Sequence, residues 1–210
     1  YVLRKTGPMT MAASLGAGFL KTDSRQETPD IQFHIQPFSA DNAIEGPHPF
    51  SAFTASVLQL RPESVGHLKL VSANIDDHPE IHPNYLEAEI DQRTIVKGIQ
   101  IARKIAQFEP LKSHITEEYQ PGHAVAMDDY DATLNWARNT AVTIYHPTGT
   151  CKMGSDPMAV VDHRLRVHGL RGLRVADASI MPVITSGNTN APAIMIGEKV
   201  SDMILEDAAW

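Results

Sequence analysis

The chain has 210 residues, of which 42% are hydrophobic and 20% charged, and a formal net charge of -7. That composition suits a globular chain of one large domain or two small ones, and its acidity excludes nucleic acid as a partner, which would need a basic face to neutralise phosphates. No apolar run approaches the roughly 20 residues of a membrane-spanning helix, and no basic stretch with an apolar core follows Tyr1, so neither a transmembrane segment nor a secretion signal is expected.

Residues 1–30 are rich in Gly, Ala, Met and Thr. Leu15-Gly16-Ala17-Gly18-Phe19-Leu20-Lys21 begins like a dinucleotide fingerprint, but Lys21 stands where the third glycine belongs and no helix follows. The segment reads as a loop and a short strand. Ile31-Gln32-Phe33-His34-Ile35-Gln36 alternates apolar and polar residues and ends at Pro37, which predicts a strand. Residues 38–51 read as a loop. Residues 55–60 and 66–71 predict two strands joined through Arg61-Pro62-Glu63-Ser64 and paired antiparallel. Residues 74–84, with Pro79 and Pro83, read as a connecting loop. His78 and His82 share the spacing of helical metal ligands, but those prolines argue against a helix there.

The clearest predicted helix is 91–108, capped by Asp91, with Ile95, Ile99, Ala102 and Ala106 forming an apolar stripe. A second is predicted over 128–139, with Leu134 and Ala137 inward. Leu165-Arg166-Val167 and Leu173-Arg174-Val175 predict short strands around Gly169 and Gly172, with His163 and His168 on their surface. A last helix is predicted over 190–205, with Pro192 tolerated in its first turn. The one cysteine, Cys151, lacks a disulfide partner and zinc-site companions, so no metal site is expected, and a lone thiol slightly favours a cytoplasmic location. It reads as a small buried thiol, not as a nucleophile paired with His146.

Two polar clusters stand out. Tyr145-His146-Pro147-Thr148-Gly149-Thr150-Cys151-Lys152-Met153-Gly154 sets a histidine between an aromatic residue and a proline, ahead of a tight turn. Ser186-Gly187-Asn188-Thr189-Asn190-Ala191-Pro192 opens the last predicted helix. Together they resemble the C-terminal signature of the glucose–methanol–choline (GMC) family of flavin-dependent alcohol oxidoreductases. Further pieces occur in the family's order: Gly7-Pro8-Met9-Thr10, Gly18-Phe19-Leu20, 60–70, His82-Pro83-Asn84-Tyr85-Leu86, Val160-Val161-Asp162 and 172–182. Residues 184–190 look most like the choline and primary-alcohol dehydrogenase branches.

The resemblance implies an α/β (α+β) protein. An antiparallel-sheet substrate domain with helices would occupy residues 1–140, and the C-terminal segment of a Rossmann-like FAD domain residues 141–210. The glycine loop that grips the flavin's pyrophosphate in the family has no counterpart in these 210 residues. The implied partners are therefore a small alcohol and an N-terminal FAD-binding half of the same enzyme, and the implied cofactor is FAD.

Oxidising an alcohol requires a base for the hydroxyl proton and an acceptor for the hydride. Histidine suits the first task, since its unperturbed pKa of about 6.5 lies near working pH. Any one of ten histidines is by default a satisfied loop or core residue; by resemblance, His146 is the base. Asn188 holds the partner position, where its amide can donate a hydrogen bond to the developing alkoxide. It cannot act as the base, because an amide takes up no proton near neutrality. Tyr145 is implied to line the pocket, and His34, on the 31–36 strand, is a further pocket candidate. Asp177 and Ala178 follow a predicted strand, and the resemblance places them near the flavin's ribityl and phosphate portion; Asp177 equally suits the cap of a turn. Thr189, Asn190 and Ala191 begin the last helix, whose partial positive charge favours electron density on a reduced flavin. Two alternatives stay open. One is a hydroxynitrile-lyase-like member in which the flavin does no redox work; the other is a flavin-free, non-catalytic fragment.

Overall fold

The computed structural model describes residues 10, 14–41 and 46–208. The segment Gly7–Met9, part of the family resemblance, lies outside them. The chain divides into two compact units, Tyr1–Leu60 with Ala88–Ala141, and Arg61–Glu87 with Val142–Trp210. Helices and antiparallel strands are mixed, as the α+β expectation required.

The first unit is a sheet backed by helices. Strands β1 (Gly16–Leu20), β2 (Ile31–Gln36) and β3 (Thr54–Gln59) form one antiparallel sheet with β2 central. The register runs from Ile31 opposite Gln59 to Gln36 opposite Thr54. Helix α1 (Glu89–Ile105) packs on β2 and β3, where Val96 and Ile99 join Ile31 and Phe33 in the buried set. Gly98 permits that approach, since a Cβ there would stand 2.5 Å from a Val57 methyl. Helix α2 (Tyr130–Thr140) turns Leu134 and Ala137 inward as its periodicity predicts. Its N-cap is Asp129, whose carboxylate accepts the Ala132 N–H at 2.9 Å.

Three expectations need correction. Asp91 does not cap α1: the N-cap is Ala88, without a side-chain bond. Asp91 sits in the first turn, 1% exposed, and accepts a 2.7 Å bond from Gln59 Nε2 of β3. An acidic residue there suits the positive helix end, but its bond to Gln59 is tertiary.

The hairpin between 55–60 and 66–71 does not form. Among the described residues β3 pairs with β2 alone, while β4 (His67–Lys69) pairs antiparallel with β5 (Glu80–His82), drawn from the predicted loop. Pro79 and Pro83 leave room between them for a three-residue strand. Gly66 allows the close crossing, because a Cβ on it would meet the His82 carbonyl oxygen at 2.3 Å. His67 and His82 stack with ring centroids 4.6 Å apart.

The predicted strands 165–167 and 173–175 are isolated bridges, Val161 to Val167 and Arg166 to Arg174. Leu165, Gly169 and Gly172 all adopt positive φ, which interrupts a continuous extended ladder. The core of the second unit is built from Val161, Leu165, Ile180, Met181, Ile196 and Val200. The last two come from helix α3 (Asn190–Ala208), which runs a turn further than predicted. Ile194 and Ile204 of α3 are exposed. Arg164 and Arg174 both bond to Asp207, which ties the far end of α3 to this loop region.

Candidate functional site

Residues 149–154 hold the first polar cluster against 179–181. Cys151 N–H donates to the Ser179 carbonyl at 3.0 Å and Met153 N–H to that of Ile180 at 2.7 Å. Gly149, at φ +85°, makes the turn into this ladder and lies where a Cβ would be 3.5 Å from the Met181 carbonyl. Just before it, Tyr145 adopts φ 63°, an unusual conformation for a bulky residue, with its N–H donating to Thr143 Oγ1 at 3.0 Å. Pro147 disfavours a helical conformation at His146. The histidine is thereby set beside the start of α3.

Both ring nitrogens of His146 are engaged there by consecutive residues. Asn188 Nδ2 lies 2.7 Å from Nε2, and Thr189 Oγ1 lies 2.8 Å from Nδ1. With an amide N–H donating to it, Nε2 is the acceptor, so the neutral ring carries its proton on Nδ1 and donates it to the Thr189 hydroxyl. Nε2 therefore presents a lone pair, as a base must. His146 is half-buried, Asn188 is exposed and Thr189 is buried at 6% exposure. The Thr189 carbonyl accepts the Ala193 N–H at 3.0 Å, the first bond of α3.

Helix geometry leaves the first N–H groups of α3, those of Asn190 and Ala191, without intrahelical acceptors. Both residues are exposed at the positive end of a 19-residue helix, and Gly187 has open space where a Cβ would stand. This donor set suits an electron-rich planar group such as an isoalloxazine ring. Among the described residues no cluster of three or more His, Cys, Asp or Glu could hold a metal ion, and no helix is long and apolar enough to cross a membrane.

The remaining candidates are dispersed. Asp177 caps the short 3-10 turn Ala178–Ile180, its carboxylate accepting Ser179 N–H at 2.7 Å, and Ala178 packs against the core. Tyr145 is exposed. His34 belongs to the first unit, half-buried on β2 opposite Ser56 and Ala17. Cys151 is half-buried and His163 and His168 are exposed. Sequence reasoning missed two contacts. Arg61, read as part of a connector, donates to Ser186 Oγ at 3.1 Å, beside the cluster. The Thr189 hydroxyl, from a residue singled out for its place at the helix start, bonds to His146 Nδ1 at 2.8 Å.

Comparison with known proteins places the chain among relatives. The family model described as GMC oxidoreductase matches residues 62–197. Over 205 residues the chain is 40% identical to an alcohol dehydrogenase [acceptor] of Pseudomonas putida, covering 98% of this chain and 37% of that protein. It is 44% identical over 202 residues to the mitochondrial choline dehydrogenase of Mus musculus, covering 95% and 33% respectively. A solved structure of Aspergillus oryzae formate oxidase, studied for modification of its FAD, superimposes with a TM-score of 0.76 at 25% identity, covering 88% of this chain and 33% of that one. The chain thus spans about a third of the length of the curated relatives it matches. With a family match across most of its length and relatives above 40% identity, this chain belongs to the GMC oxidoreductase family.

Proposed function

We propose that this chain forms part of an FAD-dependent enzyme that oxidises an alcohol to a carbonyl, with His146 as the base. The observation that carries this reading is the arrangement around His146: the Asn188 amide nitrogen 2.7 Å from Nε2 and the Thr189 hydroxyl 2.8 Å from Nδ1. Family membership and relatives named for alcohol and choline oxidation support it.

In this reading the hydroxyl proton of the alcohol passes to His146 Nε2. For this the Asn188 amide N–H leaves Nε2, whose one lone pair the proton needs, and turns toward the oxygen as negative charge builds on it. The carbinol carbon loses its hydrogen with the electron pair, and the carbonyl forms. FAD, when bound, supplies the hydride acceptor at N5. Asn190, Ala191 and the start of α3 hold the ring's electron-rich side, and Asp177 and Ala178 lie toward the ribityl and phosphate portion. Residues 1–140 serve substrate binding and 141–210 complete the FAD domain, whose glycine loop is supplied by the rest of the protein. Tyr145 lines the alcohol's approach.

Anaerobic addition of alcohols to the full-length holoenzyme tests this. Bleaching of the flavin absorbance with release of the carbonyl product supports it. A flavin that stays oxidised while substrate is cleaved to a carbonyl and a nucleophile would point to lyase chemistry instead.

A further inference from the structure

We propose that Thr189 is a positioning residue for His146: its buried hydroxyl fixes the ring's tautomer and plane, so that Nε2 is the nitrogen that meets substrate. The inference rests on the reading of His146 as the base, but it assigns Thr189 a task on the histidine, not on the cofactor.

Imidazole has two nitrogens, and the neutral ring can place its single proton on either one. A base that alternates between tautomers is correctly poised for only part of the time. Here Thr189 Oγ1 lies 2.8 Å from Nδ1. As an acceptor it stabilises the proton on that side and so keeps the lone pair on Nε2, and the Asn188 amide, whose N–H that lone pair accepts, selects the same tautomer from the other side. The hydroxyl itself is held firmly. Thr189 is only 6% exposed, and its carbonyl is fixed by the first hydrogen bond of α3. Its β-branched side chain has a restricted χ1. When Nε2 takes up a proton, the ring becomes cationic and the Nδ1–H bond to Oγ1 becomes charge-assisted, and so stronger. The hydroxyl therefore supports the product of proton transfer as well as its reactant geometry. A threonine oxygen does this without adding a formal charge beside the substrate.

The test uses the full-length holoenzyme with Thr189→Val, which keeps shape and removes the hydroxyl, and Thr189→Ser, which keeps the hydroxyl. Losing one neutral hydrogen bond predicts a fall of about tenfold in the rate of flavin reduction for Thr189→Val. Flavin content and alcohol KM should stay near native, and Thr189→Ser should recover most of the rate. A second readout is independent of turnover. In protein labelled with nitrogen-15 histidine, the native His146 signals should report the Nδ1–H tautomer, and Thr189→Val should move them toward a mixture. A Thr189→Val variant with native reduction rate, native pH profile and unchanged tautomer would overturn the proposal. If Thr189→Val fails to fold, Thr189→Ser and Thr189→Ala carry the same comparison. Should His146→Ala reduce flavin at the native rate, the reading of the base fails first; slow His146→Ala with fast Thr189→Val removes only the role given to Thr189.

Discussion

Asn188 Nδ2 stands 2.7 Å from His146 Nε2, across 42 residues of sequence. An amide hydrogen bond to the basic nitrogen does two things. It selects the ring tautomer whose lone pair lies on that nitrogen, and it stores a donor beside the place where an alcohol oxygen must bind. Asn188→Leu removes the donor while keeping bulk. If the amide stabilises the developing alkoxide, the rate of flavin reduction should fall by roughly 10²- to 10³-fold, measured by anaerobic stopped flow. Asn188→Asp should also be slow, because a carboxylate beside Nε2 would favour the protonated ring and leave no base.

Gly66 marks a backbone crossing that tolerates no side chain. A Cβ there would lie 2.3 Å from the His82 carbonyl oxygen and 2.8 Å from Pro83 backbone atoms. Neither is a flexible side-chain end that could swing away. Gly66→Ala should destabilise the β4–β5 pair by about 1–3 kcal/mol, the usual cost of overpacking. The denaturant midpoint of the full-length protein measures it, and an unchanged midpoint would contradict the crossing.

Helix α2 depends on its cap. The Asp129 carboxylate satisfies the Ala132 N–H, one of the orphan donors of the first turn. Asp129→Ala should cost about 1 kcal/mol of stability, and Asp129→Asn or Asp129→Ser should recover most of it. Thermal unfolding of the three variants side by side gives the answer.

Asp162 supplies a signature at low pH. Burial pushes its carboxyl pKa up, but the Arg166 backbone N–H, the Arg166 guanidinium and the Arg164 N–H outweigh that and hold it at about 2. Its folded pKa therefore lies below the unfolded value of about 3.9. The stabilisation is complete above about pH 4 and is lost as pH falls toward about 2. Asp162→Asn should lower the urea midpoint at neutral pH, with a smaller further loss between pH 4 and 2 than the native protein shows.

The parts of this fold that were legible from sequence are those set by local periodicity. Alternation marked β2, and the three- and four-residue spacing of apolar side chains marked α1 and α2, with Ile99, Leu134 and Ala137 inward. What stayed hidden was tertiary. Asp91 looked like a cap because nothing local reveals its partner Gln59, 32 residues away. β5 looked like a loop because two prolines bracket it, and only its pairing with His67–Lys69 makes it a strand. The 165–175 region looked like two strands because positive φ at Leu165 cannot be read from a leucine. The polar clusters around His146 and Asn188 could be singled out by composition and family resemblance, but the contact between them could not. Nor could the hydroxyl of Thr189 on Nδ1, since a threonine at a helix start has an ordinary capping use.

The central claim is that His146 takes the alcohol's proton. The most direct test is the anaerobic rate of flavin reduction by alcohol in full-length His146→Ala, with bound flavin measured in the same preparation. The account predicts native flavin content and a reduction rate lower by about 10²- to 10⁴-fold, partly restored by added imidazole. Native flavin content with a native rate of reduction would contradict it.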